Sequence, residues 1–286
     1  MRLSYYPGCS LHGTARDYDL SVKALCSSLG IELIEIPDWN CCGASSAHMT
    51  RHEIGVRLPM RNLLIAAELG NDLLVPCAAC FQRLKAADKA IRQDPHYWDL
   101  EGYDPDFKIL HISPFMAQEA ILEKIGEQCR QRLEGMKIAC YYGCLSLRNP
   151  KITDVKNFEQ PRSLEKIVSA VGASAVSWSH RTECCSGSLT MARPDIARAL
   201  VGDIVLAAER AGAEALVTDC PMCQANVESR QLDHGGPVHL PVFFATELVQ
   251  AAISGEYPAK QQRLHLVSAD VLRRAVSFSE HREATS

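Results

Sequence analysis

The chain has 286 residues, 47% hydrophobic and 22% charged, which is the composition of an ordinary globular protein and enough length for one large domain or two. A formal net charge of -4, with Lys and Arg spread along the chain, leaves no electrostatic footprint for a phosphate backbone and excludes nucleic acid as an expected partner. The opening "MRLSYYPGCS" lacks the apolar run of a secretory signal, and no stretch approaches the roughly 20 apolar residues of a membrane span, so the expected location is cytoplasmic, with no direct membrane span.

In chain order, "RLSYYPGC" is a short apolar, aromatic-rich run ending in a turn, which predicts a buried strand delivering Cys9 at its carboxyl end. A helix follows from Thr14 as its cap, with Asp17 three residues on, Tyr18, Val22, Leu25 and Leu29 as an apolar stripe, and Gly30 past the end. The strand "IELIEI" leads to the adjacent pair Cys41-Cys42 in "NCCGASS". A longer helix then ends at Gly70, the strand "DLLVPC" follows, and a helix opens on the C-x-x-C of Cys77 and Cys80. One further strand and helix, "FKILHISPFMAQEAILEKI", close the first half.

The second half repeats this order. "KIACYYGC" delivers Cys144, and Leu164, Ile167, Val168 and Val171 form the helical stripe. "ASAVSW" is the next strand, "TECCSGS" carries Cys184-Cys185, and a helix ends at Gly212. "EALVTDC" then leads to Cys220 and Cys223, and "GPVHLPVFFATELVQAAI" closes the half. The spacing repeats too: 31 residues separate Cys9 from the first pair and 39 separate Cys144 from the second, while 34 separate each pair from its C-x-x-C. The extra residues fall near "RNPKITDVKNFEQPR", whose prolines and polar residues suit a surface loop. From about Glu256 the tail reads as an amphipathic helix and a frayed end. Alternating strands and helices predict an α/β fold of two pseudo-symmetric halves, each a mostly parallel sheet flanked by helices. The expected division is 1–135 and 136–286, the second unit including the helical tail.

Ten of the thirteen cysteines obey this pattern, and clustered thiols in a reducing compartment point to metal or redox chemistry rather than a disulfide framework. All lie at strand carboxyl ends, where ligands gather on an open parallel sheet. Cys80 and Cys223, in the first turns of helices, are expected to favour the thiolate, and turn amides near Gly43 and Gly187 to donate to sulfur. Four thiolates would satisfy a structural zinc or an ordinary iron-sulfur cluster, yet each half offers five. An adjacent Cys-Cys pair reaches two corners of one tetrahedral zinc site with difficulty, whereas a multi-iron cluster presents several metals a few ångströms apart.

"YYPGCSLHGTARDYDLSVKALCSSLGIELIEIPDWNCCGASSAH" and "YYGC…ECCSGS…DCPMC" resemble the cysteine-rich CCG domains of the B-type heterodisulfide reductase family and its bacterial relatives, over nearly the whole chain. The resemblance implies two non-cubane 4Fe-4S clusters. One would be held by Cys9, Cys41, Cys42, Cys77 and Cys80, the other by Cys144, Cys184, Cys185, Cys220 and Cys223. It implies two-electron cleavage of a disulfide lying between the clusters, or the reverse oxidation of thiols or sulfur compounds. The chain has no ferredoxin-type C-x-x-C-x-x-C run and no dinucleotide fingerprint, so it is expected to bind no flavin or nucleotide. Electrons would come from a small iron-sulfur subunit resembling the C-type component of heterodisulfide reductase, fed by a flavin subunit resembling the A-type component. The alternatives are an electron-transfer subunit of a lactate or glycolate oxidising system and a zinc-stabilised, non-catalytic scaffold.

Other residues read two ways. His48, Arg51, His52, His180 and Arg181 flank the cysteine pairs and could bind a substrate anion or relay a proton, or could simply be solvated. Arg148 and Lys151, just beyond Cys144, share that ambiguity. Tyr5, Tyr6, Tyr141 and Tyr142 read as strand packing, and Cys26 and Cys129 as core. Strand alternation puts Cys140 on the same face as Cys144, but it stays off the ligand set.

Overall fold

A computed structural model describes residues 1–44, 47–130, 133–234 and 239–277. Its first half contains strands β1 (Arg2–Tyr5), β2 (Glu32–Glu35), β3 (Leu73–Val75) and β4 (Ile109–His111), paired in the order β2-β1-β3-β4. The second contains β5 (Lys137–Tyr141), β6 (Ser174–Ala175), β7 (Ala215–Thr218) and β8 (Val242–Phe244), in the equivalent order β6-β5-β7-β8. Every pairing is parallel. The chain moves one way from β1 to β2 and the other way to β3, so a crevice opens beyond the ends of β1 and β3, with its counterpart beyond β5 and β7. Cys9 and Cys77 follow the first pair of strands; Cys144 and Cys220 follow the second.

The predicted helices form where the apolar stripes demand them. In the helix Arg16–Ser28, Tyr18, Val22 and Leu25 are buried, and in Ser163–Ala170 so are Leu164, Ile167 and Val168. Three local readings change. The cap of the first helix is Ala15 rather than Thr14, with no side-chain capping bond, and Asp17 is buried instead of completing a capping box. "ASAVSW" pairs over Ser174–Ala175 alone, before the chain bends toward the cysteine pair. The segment around Pro150 is not only loop: Pro150–Thr153 is a helical turn capped by the Asn149 side chain.

The halves exchange helices. Arg16–Ser28 packs on Ala245–Ser254 of the second half, while Ser163–Ala170 packs on Ile112–Met116 and Glu119–Gln128 of the first. One apolar cluster consequently includes Tyr18 and Val22 together with Phe244 and Leu248. The proposed boundary between 135 and 136 thus separates two repeats that share a core.

At the seam, the Tyr18 ring stacks on Phe244 with centroids 3.9 Å apart and planes 2° apart. The Tyr18 hydroxyl lies 3.2 Å from the carbonyl oxygen of Pro76 and 3.1 Å from that of Asp219, the residues just before Cys77 and Cys220. One hydroxyl therefore ties both C-x-x-C turns together. Tyr18→Phe keeps the stack but removes the one donor these two buried carbonyls share, and is expected to cost about 1–3 kcal/mol in urea or thermal denaturation. An unchanged midpoint would show that the bridge contributes nothing.

No helix among the described residues is long and apolar enough to cross a membrane.

Candidate metal centre

All thirteen cysteines are free thiols, and the ten patterned ones gather into two sets of five. In the first set Cys42, Cys77 and Cys80 are buried while Cys41 is half-buried and Cys9 exposed; in the second, Cys185, Cys220 and Cys223 are buried, Cys144 half-buried and Cys184 exposed. Each set therefore has a closed floor and an open rim. The Cys42 and Cys80 sulfurs are 3.2 Å apart, and their counterparts Cys185 and Cys223 are 3.8 Å apart. The Cys80 thiol also donates a hydrogen bond to Cys77, and the Cys144 thiol to Cys184.

Short side chains and turn amides make the convergence possible. Gly8 has φ +69°, and a Cβ there would lie 2.9 Å from the Cys80 sulfur. At the matching Gly143 a Cβ would lie 2.7 Å from the Cys220 Cβ and 3.2 Å from that of Ala78. The Gly43 amide donates to the Cys41 sulfur at 3.4 Å and the Ser186 amide to that of Cys184 at 3.3 Å, much as the turn sequence suggests. Gly43 has φ +78°, and Ser186 holds the same left-handed conformation at φ 57°, a cost for a residue with a Cβ. The Ser186 hydroxyl donates to the carbonyl of Cys185 at 2.6 Å.

The electrostatics correct one expectation. Cys80 and Cys223 are not the thiolate-favouring members: hydrogen bonds shared with Cys42 and Cys77, or with Cys185 and Cys220, raise their pKa values well above the ordinary thiol. Helix position is outweighed because several thiols face one another in a space where only some can ionise. The charge settles on their neighbours. Donation from Cys80 brings Cys42 down to about 7, and donation from Cys144 brings Cys184 down to about 6. The basic side chains that help are Arg83 beside Cys42 and Arg148 beside Cys184. Ionising all five thiols of a set requires more positive charge than these supply. The donor set consequently fits a compact multinuclear group of thiophilic metal, and fits a single tetrahedral ion less well because a fifth thiol is left over.

Tyr6 and Tyr141 do more than pack strands. Each stands among its set and donates to the carbonyl just before the cysteine pair, Tyr6 to Asn40 at 2.8 Å and Tyr141 to Glu183 at 2.7 Å. Asn62 exchanges two 2.9 Å bonds with the Asn40 backbone, and Asn226 donates to the Cys185 carbonyl. Sequence reasoning missed both asparagines, which carry no motif; Arg83 could have been found as the residue one helical turn beyond Cys80.

The other candidates scatter. His48 is exposed with Nδ1 3.1 Å from the Gly43 carbonyl, and Arg51 and His52 are exposed at the start of the helix His52–Leu69. His180 Nδ1 bonds Ser179 at 2.7 Å. Arg181 pairs with Glu165 at 3.5 Å, both side chains largely covered. Arg148 donates to the Thr182 carbonyl, and the Lys151 carbonyl accepts from Lys89. Tyr5 donates to Asp19 and Tyr142 to Glu165. Cys140 and Cys26 are buried in the core, where burial pushes their thiols up, Cys26 to about 12; Cys129 packs against that core.

Between the halves, the buried Asp219 carboxylate accepts from Ser113 and from the Gly143 amide at 3.2 Å, and lies 3.6 Å from His111 Nδ1. A cavity of about 390 Å³ opens beside it, bounded by His111, Ser113, Phe81 and Leu147 and walled by Thr153, Val155, Asn157 and Pro161 from the longer connection of the second half.

A duplicated parallel α/β unit that focuses five cysteines at each switch point defines a tandem cysteine-rich protein. The chain belongs to the CCG cysteine-rich domain family, whose profile matches residues 3–85 and 138–228. It is 29% identical over 273 residues, 92% of this chain and 95% of the relative, to the 8-methylmenaquinol:fumarate reductase membrane anchor subunit of Wolinella succinogenes. It is 22% identical over 268 residues, 88% of this chain and 89% of the relative, to the B-type component of the ferredoxin/F(420)H(2)-dependent CoB-CoM heterodisulfide reductase of Methanosarcina acetivorans. A hypothetical protein from Helicobacter pylori shares the fold, with a TM-score of 0.68 at 12% identity over 92% of this chain; the chain spans about half, 51%, of that protein.

Proposed function

We propose that the chain is the iron-sulfur subunit of a heterodisulfide-reductase-like complex. Cys9, Cys41, Cys42, Cys77 and Cys80 would hold one non-cubane 4Fe-4S cluster, and Cys144, Cys184, Cys185, Cys220 and Cys223 the other. The observation that carries this reading is the pair of five-thiol sets whose C-x-x-C turns meet at the Tyr18 hydroxyl. Two one-electron centres in one rigid unit suit a two-electron reaction, the reductive cleavage of a disulfide or its reverse. When bound, the clusters would supply electrons and a site for sulfur. The chain's own residues hold the centres at fixed separation, exclude water from their floors, and donate amide hydrogen bonds that stabilise the charge on sulfur.

The heterodisulfide reductase relative, itself one component of a complex, supports disulfide chemistry and a setting of partner subunits; the partners proposed for this chain are a small iron-sulfur subunit and a flavin subunit. The fumarate reductase relative supports a second reading, in which the same centres pass electrons between a membrane quinol and a soluble partner. We place the chain in the cytoplasm under either reading.

Anaerobic purification followed by iron and sulfide analysis is expected to give about eight of each per chain. The reduced protein is then offered a disulfide or a menaquinone analogue. Reoxidation by the disulfide supports the first reading, reoxidation by the quinone alone the second, and a folded, colourless, iron-free protein overturns both. Gly8→Ala and Gly143→Ala are expected to damage one set each, because the added methyl meets Cys80 or Cys220. Each variant should lose about half the iron, about four atoms per chain. Full iron in both would show that the close approach is not needed.

A further inference from the structure

Away from the cysteines, one buried polar cluster joins three separated parts of the chain. Asp17 lies in the first turn of the helix Arg16–Ser28, Glu247 in the first turn of Ala245–Ser254, and His265 in the C-terminal segment. One potential ligand atom from each lies within 4.8 Å of the others. Asp17 is 3% exposed and Glu247 1%, and the His265 side chain has no exposed surface.

The imidazole is oriented from behind. His265 Nδ1 sits 2.7 Å from Glu228 Oε1, and the other Glu228 oxygen accepts the Leu266 amide at 2.9 Å. Nε2 is thereby turned toward Glu247, 3.3 Å away, and toward Asp17. A carboxylate behind the far ring nitrogen is the usual way a protein orients a metal-binding histidine and raises its basicity.

Charge points the same way. Three buried carboxylates, Asp17, Glu228 and Glu247, face one imidazole, and among the described residues no Lys or Arg pairs with any of them. Tyr257 donates to Glu247 at 2.9 Å and the Phe244 amide to its other oxygen, but the Asp17 carboxylate receives only the backbone amides of Asp17 and Tyr18 among the described residues. Three buried carboxylates around a single imidazole leave negative charge in excess, which is costly unless something else neutralises it.

We propose that Asp17, Glu247 and His265 bind one divalent cation of the Mn²⁺ or Zn²⁺ type, clamping the first half, the second half and the C-terminal segment together. Two oxygen donors and one imidazole suit these ions. Binding releases the Nε2 proton of His265 to solvent. The proposal is independent of what the cysteines hold.

The test uses full-length protein prepared without air and washed with EDTA, titrated with Mn²⁺, which avoids thiolates. Free Mn²⁺ is followed by its electron paramagnetic resonance signal, with thermal melts in EDTA and in Mn²⁺. Wild type is expected to bind one Mn²⁺ per chain, melt higher with it and release a proton. Asp17→Asn is expected to lose all three responses while melting in EDTA at or above the wild-type temperature, because it removes the excess buried negative charge. Absence of Mn²⁺ binding by wild type, or equal binding by Asp17→Asn, would overturn the proposal. So would a lower melting temperature of the variant in EDTA, since it would show that the protein alone satisfies the carboxylate.

Discussion

Cys42→Ala is expected to lower iron and sulfide from about eight to about four per chain, and Cys185→Ala to do the same from the other half, with the double variant nearly iron-free. Both residues form the buried floors, at 2% and 4% exposure, and each sulfur faces the C-x-x-C thiol that opens the next helix. Removing either takes a buried sulfur donor from a set that also holds the buried Tyr6 or Tyr141. Either single variant should also abolish two-electron turnover, since one centre remains where the proposed reaction uses two. Cys26→Ala and Cys140→Ala provide the contrast. They too are buried thiols, yet no other thiol bonds to them, so their removal should cost packing energy and no iron. Equal iron content in Cys42→Ala and Cys26→Ala would refute the ligand assignment.

The residues that could be read directly from the chain are those whose chemistry restricts their type. A thiophilic centre tolerates little besides cysteine, so a doubled five-cysteine spacing survives as a visible pattern, and short apolar runs with a glycine turn locate the strands that deliver it. What stayed hidden depends on contacts between residues far apart in sequence. Tyr18 reads as one member of an apolar stripe, and nothing local says that its hydroxyl reaches Asp219. Asp17 reads as a capping residue because first-turn acids usually are; its burial follows from the exchange of helices between halves. The sharing of protons among thiols likewise outweighs the helix-terminus effect that Cys80 and Cys223 suggested, and only the assembled site shows which sulfur faces which.

His265→Gln in metal-free protein is expected to lower stability at pH 7 by about 3–5 kcal/mol, because it leaves the Glu228 and Glu247 carboxylates buried without their counter-charge. For a chain of this size that is about 10 °C in melting temperature. Burial alone would lower the His265 pKa, but its hydrogen bonds to Glu228 and Glu247 outweigh this and raise it from 6.5 to about 10. A folded-state pKa above the unfolded one means the stabilisation is fully present below about pH 6.5 and fades as pH rises through about 10. The gap between wild type and variant should therefore be widest at pH 6.5 and below, and narrow steadily toward pH 10. In the metal-free protein Asp17 works the other way: burial and Glu247 hold its carboxyl up at about 6, so its penalty on the fold grows from about pH 3.8 and is complete above about 6. The melting temperature of Asp17→Asn, measured in EDTA, should accordingly gain on wild type between about pH 4 and 6 and hold that gain above it, while that of His265→Gln lags. A His265→Gln deficit that stays constant from pH 6 to 10 would mean that the histidine acts through packing rather than through its proton.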